Sequence, residues 1–132
     1  MSILIAFFTS LLAIPASLGG STTQSVCRTS DFTTLMYHHV REYSTLDIEA
    51  QNISVSPSEF RAQMKFLYEN EYNVITSRDI DEDRVPCKSV MITFDDGYYD
   101  VFTQAYPIMK EYNFTGIIGL ILAKIDESDY LF

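Results

Sequence analysis

Asp95 and Asp96 stand side by side at the end of an apolar run, Val90 to Phe94, and Gly97 follows them. Val, Ile, Thr and Phe favour strands, and a short, bounded apolar run fits a buried one. Asp-Gly then marks a turn, because glycine tolerates backbone angles that other residues resist. The order predicts two carboxylates at the C-terminal end of a buried strand, the end at which α/β folds bind ligands. Like charges held so close raise one pKa or call for a cation. A divalent metal resolves the conflict if one carboxylate ligates it and the other stays free as a base toward metal-bound water. Asp-Asp-Gly alone is also a common solvated turn; the strand that feeds into it favours chemistry.

The chain's two histidines, His38 and His39, end a second apolar stretch, Leu35 to Val40. Side chains alternate along a strand, so at most one of two adjacent rings faces a pocket. On the residues alone, a hydrogen-bonded or exposed pair is the simpler reading.

Several stretches together resemble one family. TFDDG at 93–97 is similar to the first signature of the polysaccharide deacetylases, the NodB-homology carbohydrate esterases. LMYHHV (35–40), VSPSEFRAQMKFL (55–67), YNVIT (72–76) and AYPIMKEYNF (105–114) follow the order and spacing of the family's extracellular, bacterial branch. The resemblance runs from Phe32 to Leu122. It implies an α/β fold, a distorted (β/α) barrel with parallel strands, of which this chain offers a truncated N-terminal half. It also implies a metal-dependent hydrolase that removes N-acetyl groups from an amino-sugar polysaccharide. Carried over by position, Asp95 is the general base, Asp96 a metal ligand, and His38 and Tyr98 line the pocket. The implied metal is zinc or a similar divalent ion. The family's second signature, a His-x-x-x-His pair supplying two metal ligands, is absent, since both histidines precede TFDDG. The chain is therefore expected to be a fragment, and inactive as it stands. The alternatives are a non-catalytic carbohydrate-binding or degenerate remnant using the surface around Tyr98 and Tyr99, and a metal-dependent glycosyltransferase. The latter lacks a Gly-rich phosphate loop opening a helix.

Further elements must position these groups. Ser56-Pro57-Ser58-Glu59 reads as a capped helix start, with Phe60, Met64, Leu67 and Tyr68 on one face. Tyr72 to Thr76 reads as a strand, and Ser77 to Arg84 as a turn with a short helix. Tyr98 to Tyr112 reads as a helix interrupted at Pro107, with Val101, Ala105, Ile108 and Met109 inward and Asp100 favouring its dipole. Phe114 to Leu122 reads as a further buried strand weakened by Gly116 and Gly119, and Tyr43 to Ser54 as a loop.

The 132 residues suit one small domain with a modest core, and 47% are hydrophobic. A net charge of −9 with no basic cluster argues against nucleic acid or anionic membranes as partners; no specific protein partner is indicated. Residues 1–20 read as a secretory signal: an uncharged apolar run too short to span a bilayer, then small residues. That predicts a secreted or cell-envelope protein, with a polar linker at 21–31 and the deacetylase-like domain at 32–132. An uncleaved anchor is the other reading. Cys27 and Cys87 could pair after export or stay unrelated thiols.

Overall fold

The computed structural model describes residues 31–131; the predicted signal, the linker up to Ser30, and Cys27 lie outside them. The elements run β1 (Phe32–Tyr37), β2 (His39–Val40), α1 (Ile48–Ile53), β3 (Ser54–Val55), α2 (Pro57–Glu69), β4 (Asn73–Ile75), α3 (Ser77–Asp81), β5 (Ser89–Phe94), a π-helical turn (Val101–Ala105), α4 (Tyr106–Glu111) and β6 (Ile117–Ile118). This is the expected α/β alternation with parallel strands. β5 is the centre. β1 pairs with its whole length, from Phe32↔Ser89 to Tyr37↔Phe94. On its other side β4 pairs with the first half and β6 with Thr93 and Phe94. All pairings are parallel, so the strands finish at one end of the sheet, beside Asp95. β2 and β3 form a separate two-stranded parallel sheet.

The period of two along β5 decides what is buried. Val90, Ile92 and Phe94 are at most 2% exposed, whereas Met91 and Thr93 are half-buried. The buried set packs with Phe60, Met64 and Leu67 of α2 and with Ile108 and Met109 of α4. Tyr37 meets Phe60 edge-on at 5.1 Å, and the Phe60 and Phe94 rings lie 5.9 Å apart. α2 begins as its sequence predicts. Ser56 accepts from the Glu59 backbone N–H, and the Glu59 carboxylate accepts from the Ser56 backbone. The Ser56 hydroxyl, which donates to the Glu59 carboxylate at 2.7 Å, and then the Ser56 backbone N–H hold that carboxyl below its ordinary range.

Several expectations need correction. Tyr43 to Ser54 is not all loop, because Asp47 caps α1 by accepting from the Ala50 N–H. Tyr68 lies outside the α2 core stripe and is 59% exposed. Residues 35–40 are not one strand: the chain bends at His38 and changes sheet. Phe114 to Leu122 is not a buried strand. Only Ile117 and Ile118 pair, Leu120 to Leu122 are exposed, and β6 has only the last two residues of β5 to bond. Gly116 belongs to packing: a Cβ there would stand 3.0 Å from the Phe94 ring and 3.2 Å from Met109 Cε. The helix after Tyr98 is continuous and changes from a π-helical turn to α4 just before Pro107, which stands in the first turn of α4.

Phe94 joins both helices to the central strand and is 1% exposed. Phe94→Ala is expected to lower unfolding free energy by about 3–5 kcal/mol, measured by urea denaturation; a loss under about 1 kcal/mol would contradict this packing.

Candidate active site

The Asp95 N–H donates to the Tyr37 carbonyl at 2.8 Å, extending the β1–β5 ladder by one bond. The backbone then turns left-handed twice, at Asp96 (φ 69°) and Gly97 (φ 74°). Glycine adopts this freely; aspartate does so at a cost, eased by its short polar side chain. A Cβ on Gly97 would also stand 2.6 Å from Leu120 Cδ2. Neighbouring backbone holds the turn. The Gly119 N–H donates to the Phe94 carbonyl at 2.8 Å, Leu131 N–H to Gly97 carbonyl at 2.7 Å, and Tyr99 N–H to Asp129 carbonyl at 2.8 Å. Asp95 and Asp96 are half-buried at the end of β5.

Three residues after Gly97, Asp100 reaches back to β2. Its Oδ2 lies 2.6 Å from His39 Nδ1, and its Oδ1 accepts from the Val40 N–H at 2.9 Å. A carboxylate only accepts, so His39 Nδ1 carries the proton. Asp100 stands at the start of the π-helical turn, where its charge also favours the helix dipole, although its side chain makes no capping bond there. His39 is 6% exposed, and the Tyr98 ring stacks on it at 3.6 Å between centroids. Tyr130 lies 4.9 Å from Tyr98. Burial, aided by Tyr130 and Asp96, pushes the Tyr98 phenol up to about 12, so it remains a neutral hydroxyl at physiological pH. A cavity of about 330 Å³ opens here, lined by His39, Tyr98, Asp100 and Tyr130 among others. A larger one, about 800 Å³, lies at the opposite end of the strands beside Asn73 and Phe114.

Of the residues the sequence singled out, Asp95, Asp96 and Tyr98 share this turn. His38 is half-buried at the bend after β1, at the same end of the sheet. His39 and Asp100 are not among the site residues that the sequence points to. They are 61 residues apart in sequence, and only the fold brings them together. Their polar types beside His38 and Tyr98 were the only signal available. Among the described residues, no three of His, Cys, Asp and Glu converge on a point that could hold a metal ion. A catalytic zinc normally takes three protein ligands, so these residues do not build that centre by themselves. Cys87 is not a free thiol; pairing with Cys27, one of the two readings of the sequence, lies outside the described residues.

Comparisons with known proteins agree on one family. Residues 82–130 match the family model described as polysaccharide deacetylase. The chain is 35% identical over 102 residues to Bacillus subtilis YxkH, which is named provisionally as a polysaccharide deacetylase; the match covers 74% of this chain and 34% of that one. It is 29% identical over 109 residues to the poly-β-1,6-N-acetyl-D-glucosamine N-deacetylase of Staphylococcus aureus, covering 73% and 38%. The crystal structure of BC0361, a polysaccharide deacetylase from Bacillus cereus, superposes with a TM-score of 0.65 at 28% identity, covering 76% and 32%. The chain thus spans about a third of the length of the relatives it matches.

Burial pushes the Tyr37 phenol, like that of Tyr98, up to about 12 from an ordinary value of 10.0. Above pH 10 the unfolded chain sheds these protons first. Stability is therefore complete below that pH and falls as pH rises toward the folded values. Urea unfolding at roughly pH 9 and roughly pH 11 should show that loss, and Tyr37→Phe should reduce it. An equal loss in the variant would assign the alkaline sensitivity elsewhere.

Proposed function

The chain belongs to the polysaccharide deacetylase family, and we propose that its β5 turn supplies the base and one ligand carboxylate of a site that hydrolyses N-acetyl groups on an amino-sugar polysaccharide. One observation carries this: two adjacent carboxylates at the C-terminal end of the central parallel strand, the second of them on a left-handed turn. The S. aureus relative is by name a poly-β-1,6-N-acetyl-D-glucosamine N-deacetylase, which supports an N-acetylated glucosamine polymer as the substrate class.

Asp95 takes the proton of the water that attacks the acetamide carbonyl carbon. The carbon–nitrogen bond then breaks, acetate leaves, and the proton goes to the sugar nitrogen, which departs as the amine. His38 and Tyr98 line the approach at the same end of the sheet. Asp96 offers one oxygen ligand to a divalent cation, zinc or a similar ion, which polarises such carbonyls when bound. Because residues 31–131 bring no third donor to that point, the centre needs donors from outside them, and these residues by themselves are inactive. The predicted leader at 1–20 supports action outside the cell.

The test is to graft residues 31–131 into the S. aureus deacetylase in place of the matching segment and to measure acetate release from poly-β-1,6-N-acetylglucosamine. The graft should be active, and Asp95→Asn in it should lower kcat by roughly 100-fold or more. A graft that folds and keeps its rate without the Asp95 carboxylate would overturn the reading.

A further inference from the structure

We propose that Asp100 is a positioning residue: it ties the Asp95–Asp96 turn to β2 through His39 and Tyr98. The tie itself stands on geometry, and only its use in catalysis rests on the function proposed above.

Among the described residues no strand pairing joins the β2–β3 sheet to the sheet built on β5. The turn after β5 must nevertheless hold a left-handed aspartate, a conformation that persists only where the surroundings over-determine it. Asp100 answers both needs. One carboxylate oxygen takes the Val40 N–H at 2.9 Å and the other the His39 Nδ1–H at 2.6 Å. Both donors belong to β2, and Asp100 itself is four residues beyond Asp96. The His39 ring, buried and fixed from its Nδ1 edge, is the surface on which Tyr98 stacks at 3.6 Å. Tyr98 is two residues beyond Asp96 and directly follows Gly97. The turn is therefore gripped at Tyr98 by stacking and at Asp100 by two charge-assisted bonds, which are stronger than neutral ones. On the far side, Gly97 and Tyr99 are bonded by Leu131 and Asp129. Releasing Asp100 frees the β2 side of this grip and leaves the β1–β5 register pairs, which end at Phe94, intact.

The test is amide hydrogen exchange and side-chain nitrogen NMR on the whole chain, with Asp100→Ala, Asp100→Asn and His39→Phe. In the parent protein, His39 Nδ1 should carry a proton. Asp100→Asn sets an amide N–H against that donor, so the proton should move to Nε2. In Asp100→Ala, exchange at Asp95, Tyr99 and Leu131 should rise at least about tenfold, while Ile92 in the β5 ladder changes little. His39→Phe keeps a ring under Tyr98 and should raise exchange less than Asp100→Ala. Unchanged exchange at the three amides, or a rise matched at Ile92, would overturn the proposal. So would an unchanged His39 proton in Asp100→Asn, a variant close enough in shape to fold if the alanine variant does not. Exchange needs no deacetylase activity, so failure of the enzymatic reading would leave this result standing.

Discussion

The left-handed backbone at Asp96 and Gly97 is the constraint around which this end of the molecule is arranged. A non-glycine residue at φ 69° costs on the order of 1–3 kcal/mol and must be held by its surroundings. The β1–β5 ladder delivers the chain to that point through six register pairs and the Asp95–Tyr37 bond. Burial of Phe94 under α2 and α4 fixes the strand that carries the strain. Beyond the turn, β2 grips from one side and the segment from Asp129 to Leu131 from the other. The turn directs the chain away from the sheet immediately after Asp95, leaving two carboxylates at the strand end.

Much of this was legible in the sequence where one local signal sufficed. The capping box at Ser56, the α2 core stripe from Phe60 to Leu67 and the apolar run ending at Asp95 each follow from spacing within about ten residues. Val101, Ala105, Ile108 and Met109 are buried as their spacing predicts. The failures share a different cause. Phe114 to Leu122 is apolar enough for a buried strand, but burial depends on having a neighbour, and β5 offers β6 only two residues. Alternation along one strand does not apply to His38 and His39, because the chain bends at His38 and β2 begins only at His39. The His39–Asp100 pair was illegible because no local pattern encodes a contact across 61 residues.

Among the described residues the carboxylates of Asp95 and Asp96 are not joined by a third potential metal donor. The chain spans about a third of its relatives' length, and the portion described contains the strand that presents Asp95 and Asp96. Two carboxylates on one turn can orient a water and offer one ligand, but a closed divalent centre needs donors from more than one element. The apolar residues after β6 are exposed, Leu122 at 78%.

The proposed function makes these residues part of a metal-dependent centre and not the whole of it. Calorimetric titration of the 132-residue chain with zinc tests that most directly. No saturable binding is expected at micromolar zinc, and no difference between the parent and Asp96→Asn. A one-to-one micromolar site lost in Asp96→Asn would contradict it, because the chain would then close the centre with its own donors.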